Sequence, residues 1–219
     1  IFSARIPGTT NEFLINPYGM LYDEVTASSL IRIDLDGNVL FNATDYGVNQ
    51  AGYVIHSAIH GARHDVDCVI HTHTPAGMAV SALKCGLMPL TQNAMFFGRM
   101  GYHDYEGPAL NLDERARLVA DLGDREAMIL RNHGLLTVGP SIPECFNNMF
   151  RLERSCQLQV MTLSCNSEIT LPPMPTTSEK PSNAGTSMPT PLSSRIDSRP
   201  VRFSTTPSAT RTAMLVAMK

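Results

Sequence analysis

Cys68-Val69-Ile70-His71-Thr72-His73-Thr74 is the stretch on which the fold turns. An apolar, partly β-branched run leads directly into a His-x-His pair, the composition of a buried strand that ends at a site. Side chains alternate along a strand, so residues two apart face the same way. His71 and His73 therefore present two imidazoles to one side, about 7 Å apart by strand rise alone. Such a pair is a bidentate metal clip awaiting a third ligand. His133 is the best candidate, at the end of a second strand-like run, Ala127-Met128-Ile129-Leu130-Arg131-Asn132-His133-Gly134. Gly134 permits a sharp backbone turn that brings the ring inward. His103 is a rival. It sits in Tyr102-His103-Asp104-Tyr105-Glu106-Gly107, which reads as an exposed polar-aromatic loop.

On the C-terminal side of the clip, Thr74 is placed to cap a helix with Pro75 at its first position. That helix is expected to run through Met78, Val80 and Leu83 and stop at Gly86. The pair thus lies at the carboxyl end of a strand, just before a helix, where α/β folds commonly place ligands. On the N-terminal side, small or apolar residues recur at Ala51, Val54, Ile55, Ala58 and Ile59, the helical period. His56 and His60 lie four apart on that helix. They read as structural rather than as a second clip, His56 near a packing face and His60 on the surface. Further upstream come a strand at Glu12 to Asn16, a capped helical turn at Thr26 to Ser29, and a hairpin. The hairpin joins Leu30–Leu35 to Asn38–Phe41 across Asp36-Gly37. Downstream come strand-like pieces between Leu90 and Met100, including Ala94 to Phe97. A helix follows from Asn111 to near Gly123, then the strand Leu135 to Val138, then a last helix from Pro143 to about Cys165.

At 219 residues the chain holds one good-sized α/β domain, or a smaller one with a tail. Residues 168–219 carry eight of the fifteen prolines with many Ser and Thr, and read as a disordered tail beyond a domain at 1–166. An apolar patch, Met214 to Met218, closes it. A net charge of −3 excludes a dominant nucleic-acid-binding surface. No apolar run approaches 18 residues, and no basic start leads into an apolar signal segment, so no membrane association is expected. Five cysteines without metal-finger spacing read as free thiols in a reducing cytoplasm. Ile1 is not a natural start, so sequence is expected upstream of it.

Three neutral imidazoles are the ligand set of a catalytic zinc or similar divalent ion with open positions for water or substrate. Such an ion can polarise two substrate oxygens and stabilise a developing enolate. That is the task in retro-aldol cleavage, in epimerisation through carbon–carbon scission and in decarboxylation of a keto acid.

Segments in a fixed order carry a resemblance: "INPYG" (15–19), "TASSL" (26–30), "AGYVIHSAIHGAR" (51–63), "CVIHTHT" (68–74), "YHDYEG" (102–107) and "LRNHGLLTVG" (130–139). From about Phe2 to Cys165 the chain resembles the class II aldolase/adducin family, most of all its adducin-like bacterial members. The resemblance implies a three-layer α/β/α sandwich with a mostly antiparallel central sheet, often a tetramer with sites at subunit interfaces. It also implies a divalent ion, usually zinc, on His71, His73 and His133. Two features depart from the family pattern. Its sugar-phosphate aldolases carry a Ser-Ser-Glu segment whose Glu is the acid/base beside the metal. Counted back from His71, that segment falls at Gln50-Ala51-Gly52. Glycine has no group for proton transfer. The family's C-terminal closing segment is also unrecognisable in the Pro/Ser-rich tail.

Two functions of different class are therefore expected. One is a metal-dependent lyase acting on a small hydroxy/oxo sugar or acid, with a substitute acid/base from Glu106, Tyr105, His103 or His56. The other is a non-catalytic, adducin-like protein-interaction or assembly module, which the glycine at position 52 favours.

Overall fold

The computed structural model of this chain describes residues 1–108 and 111–172. Four short strands open it: β1 (Phe2–Arg5), β2 (Glu12–Ile15), β3 (Ile31–Asp34) and β4 (Val39–Phe41). They form an antiparallel meander. The Asp36-Gly37 turn works as its residues dictate. Gly37 takes φ 90°, and the Asp34 carboxylate accepts from the backbone of Asp36 and Asn38. Then follow α1 (Gln50–Ala62), β5 (Cys68–Thr72), α2 (Pro75–Ser81), α3 (Gln92–Met95) and β6 (Gly101–His103). The described chain continues with α4 (Glu114–Leu122), β7 (Ala127–Leu130), β8 (Gly134–Gly139) and α5 (Ile142–Ser164).

All eight strands join one sheet in the order β4-β3-β2-β1-β5-β8-β7-β6. Every pairing is antiparallel except β6 with β7. Helices cover both faces, giving the three-layer α/β/α fold. Alternation along β5 makes the layers legible. Val69 joins Ile55, Ile59, Leu118 and Leu122 from α1 and α4. Cys68 and Ile70 face the other way, with Val80, Cys145, Met149 and Leu152 from α2 and α5. Each of these fully buried aliphatic side chains contributes about 1.5–3 kcal/mol, so β5 is pinned from both sides. Its C-terminal end, and those of the parallel β6 and β7, point to one edge of the sandwich. The histidines gather there.

Several local expectations are corrected. Ala94 to Phe97 is not a strand. Thr91 caps Ala94 and starts the short helix α3 instead. Tyr102 and His103 are not in a loop, because they complete β6 by pairing with Ile129 and Leu130. The helix after Thr74 ends at Ser81 rather than Gly86, and the Thr74 side chain makes no cap. His60 is not on the surface. It is fully buried, stacked on Phe13 at 4.8 Å. Strand β1 carried no sequence signal of its own. Most of the expected tail, with the patch Met214 to Met218, lies outside the described residues.

Candidate metal centre

His71 is the penultimate residue of β5, and only 3% exposed. Its Nδ1 lies 2.9 Å from the Leu135 carbonyl oxygen. A carbonyl only accepts, so Nδ1 carries the proton and Nε2 keeps its lone pair. That Nε2 is 2.8 Å from His73 Nε2 and 3.3 Å from His133 Nε2. The three rings stand with centroids 4.6, 4.7 and 4.7 Å apart. Tetrahedral zinc with bonds near 2.0–2.1 Å sets its ligand nitrogens roughly 3.3 Å apart, so the His71–His133 pair already fits such an ion and the His71–His73 pair fits after widening by roughly half an ångström. Among the described residues this is the one group of three metal-binding side chains whose ligand atoms converge within 4.8 Å. His73 is exposed and His133 half-buried, so the centre opens to solvent on one side.

His133 reaches it from a turn, not from a strand. Arg131, Asn132 and His133 connect β7 to β8, and Asn132 takes φ 54°, a left-handed conformation Asn tolerates. Hydrogen bonds to neighbouring segments hold the turn. Arg131 N donates to His103 O at 2.8 Å, Asn132 N to Ser81 O at 3.1 Å, and Arg131 Nη1 to Leu83 O at 2.9 Å. The Arg131 guanidinium also lies 4.4 Å over the Tyr102 ring. Gly134 serves differently from expectation. It has no positive φ, but a Cβ there would strike the Thr72 carbonyl oxygen and come within 3.1 Å of His73 Cδ2. Glycine lets β8 approach the end of β5 closely enough for the rings to meet.

Burial lowers all three imidazole pKa values. It holds His71 well below its ordinary value and brings His133 to about 4, with the neighbouring imidazoles adding to the effect in both; His73 is also lowered. Each ring is therefore neutral at pH 7, the state a metal ligand needs.

The other expected site residues fall at different distances from this centre. His103 is buried, with Nδ1 2.7 Å from Asp121 and Nε2 3.2 Å from Glu114. Both of its nitrogens are occupied by carboxylates, and it is not among the converging ligands. Tyr105 is 56% exposed, its ring centroid 6.5 Å from that of His133. Glu106 is gripped by the fork of Arg117 at 2.7 and 2.5 Å, and that guanidinium holds its carboxyl below the usual range. Tyr105, Glu106, His103 and His133 line one small cleft. His56 is fully buried, and its Nδ1 lies 2.6 Å from Ser3 Oγ. Gly52 sits in the first turn of α1, and the Ile1 side chain occupies the space a Cβ would need. A cavity of about 300 Å³ beside α3 has no triad residue in its wall. Arg131, which fixes the turn bearing His133, was not singled out from sequence. Its only signal is a long cation placed just before the turn.

Fold and triad together define an α/β/α protein with a three-imidazole centre at its strand ends. The family of the class II aldolase and adducin N-terminal domain matches residues 1–160, and the chain belongs to it. A solved aldolase II superfamily protein from Pseudomonas syringae is 55% identical, with a TM-score of 0.76 over 78% of this chain and 70% of that one. The L-fuculose 1-phosphate aldolase of Glaciozyma antarctica is 32% identical, with a TM-score of 0.69 over 78% and 67%. Alpha-adducin of Rattus norvegicus is 46% identical over 164 residues, 74% of this chain and 22% of that protein. The chain spans 63 and 64% of the length of the curated bacterial relatives it matches. No helix among the described residues is long and apolar enough to cross a membrane.

Proposed function

We propose that this chain is the head of a divalent-metal-dependent carbon–carbon lyase, of aldolase, epimerase or decarboxylase type, acting on a small hydroxy/oxo sugar or acid. The carrying observation is the convergence of three neutral imidazoles on one point. His71 has spent its proton on Leu135, so the space between the rings holds its Nε2 lone pair. Without an ion that lone pair accepts one hydrogen bond and leaves a ring over. A cation satisfies all three. Zinc on His71, His73 and His133 suits an all-nitrogen set. When bound, such an ion supplies a Lewis acid for the substrate oxygens that gain charge as the carbon–carbon bond breaks.

The chain's own groups would do the rest. The Leu135 carbonyl fixes the tautomer and plane of His71. Tyr105, on the rim beside His133, is the accessible group for proton transfer to or from substrate. Glu106, ionised beside Arg117, anchors the Tyr105 loop or accepts a proton from within it. His56, sealed behind Ser3, is the most remote of the three. A homotetramer in the cytoplasm is part of this proposal. Its supports are the family resemblance and the free thiols of all five cysteines.

The second reading, an adducin-like assembly module, has an observation of its own. Gly52 leaves no carboxylate at the family's acid/base position, and the identity to alpha-adducin exceeds that to the fuculose-phosphate aldolase. Turnover of a panel of hydroxy acids, oxo acids and sugar phosphates separates the two. Tyr105→Phe is expected to lower kcat about 100-fold with bound metal unchanged. Undiminished turnover removes Tyr105 from the mechanism. Metal-loaded protein inert to the whole panel favours the assembly module.

A further inference from the structure

The extended run His71-Thr72-His73-Thr74 has two sides, and only one is used by the imidazoles. Alternation sends Thr72 and Thr74 away from the triad, toward the layer that contains α5. Thr72 Oγ1 donates to Met149 Sδ at 3.4 Å, and Thr74 Oγ1 donates to Glu153 Oε2. Met149 and Glu153 are one turn apart on α5, so a single helix face grips both residues that flank His73.

The Thr74–Glu153 link is the unusual one. Thr74 stands at the N-cap of α2, where a threonine hydroxyl ordinarily accepts from the first turn. Here the side chain caps nothing and reaches α5 instead. Gly77 leaves the room, since a Cβ there would lie 2.7 Å from Thr74 Oγ1. Glu153 is only 5% exposed. Its one other bond comes from Gln157 Nε2 at 2.8 Å, and no cationic side chain among the described residues pairs with it. A buried carboxylate without a counter-charge is costly, and an aliphatic residue would fill the same place. A positive charge nearby would account for its presence. The triad begins one residue from the hydroxyl it holds.

We propose that Glu153 is a positioning residue for the metal centre: through Thr74 it fixes the backbone that carries His73, and its negative charge favours a cation at the triad. This rests on the metal-dependent function proposed above. The hydrogen bond and the charge separate by substitution, because the amide oxygen of Glu153→Gln still accepts from Thr74 while Glu153→Leu does neither.

The test is the zinc affinity of the purified full chain, by competition with a chromophoric chelator, beside the thermal midpoint of the metal-free protein. Thr74→Val is expected to weaken zinc binding at least about tenfold, and Glu153→Leu by more, the range seen when partners of metal ligands are removed. Glu153→Gln should fall between them and wild type. Thr74→Ser should restore the wild-type affinity. The Thr74→Val/Glu153→Leu double variant should be no worse than Glu153→Leu alone, because Thr74 acts only through Glu153. Wild-type affinity in Thr74→Val and Glu153→Gln, with only the metal-free midpoint lowered, overturns the proposal and leaves the metal function standing. These two variants decide it if Glu153→Leu does not fold. Wild-type protein that binds no zinc overturns the metal function, and the proposal with it.

Discussion

His71 and His73 stand two apart at a strand end, while His56 and His60 stand four apart on α1. Either spacing puts two rings on one side, and either reads as a metal clip. Their surroundings differ. The strand pair meets a third imidazole and opens to solvent. The helix pair meets Ser3, whose Oγ lies 2.6 Å from His56 Nδ1 and 2.9 Å from His60 Nε2. One hydroxyl donates to one ring and accepts from the other, so both rings stay neutral and are used up as a structural bridge. Their outer atoms, His56 Nε2 and His60 Nδ1, are buried without a partner among the described residues. Spacing nominates a pair of ligands. The third group and the access decide whether an ion can use them.

The largest expected consequence of this contrast is an acid limit on the helix side. Burial, and then the charge of Arg5, lowers His60 to about 3. Folded His60 therefore stays neutral where the unfolded chain, titrating near 6.5, takes up a proton. Its contribution is whole above pH 6.5 and is lost as pH falls toward 3, at about 1.4 kcal/mol per pH unit. Across that window the loss is on the order of 5 kcal/mol. Urea unfolding between pH 7 and 4 should show this slope, and His60→Gln should reduce it, leaving the part due to His56, His71, His73 and His133. An unchanged slope in that variant would show that His60 is not the group responsible.

Next in size is Gly134→Ala. Its Cβ must push β8 away from the Thr72 carbonyl, an overpacking cost of about 1–3 kcal/mol. The same displacement parts His133 from His73, so metal affinity should fall with stability. Lost stability with intact affinity would mean that the turn adjusts independently of the strand. Ser3→Ala is expected to be comparable in size and opposite in kind. It strands one ring atom on each of His56 and His60, for about 1–3 kcal/mol in urea unfolding. Metal affinity should not change. A large change would join the two pairs into one site and end the contrast between them.

The sequence exposed the strand pair because its chemistry and its local structure share one period. It exposed α1, the β3–β4 hairpin and α5 for the same reason, since cap, turn residue and apolar spacing agreed within each segment. Legibility stopped where the deciding contact is distant. Ala94 to Phe97 is apolar at every position, and a run that short has no period to separate helix from strand. Tyr102 and His103 become strand only by pairing with β7, and His103 is buried only because Glu114 and Asp121 on α4 claim it. His60 looked exposed because the β-meander residues that cover it, Ser3 and Phe13, lie about fifty positions upstream. At the candidate site the structure brings the three nominated imidazoles together. The purpose of Gly134 was not legible, because it lies in the approach of Thr72, which no local rule contains.

The most direct measurement of the central claim is zinc bound per chain after dialysis, taken in parallel for wild type, His133→Ala and His60→Gln. The account predicts one ion per chain in wild type and in His60→Gln, and none in His133→Ala. An ion that survives His133→Ala, or that leaves with His60→Gln, would contradict it.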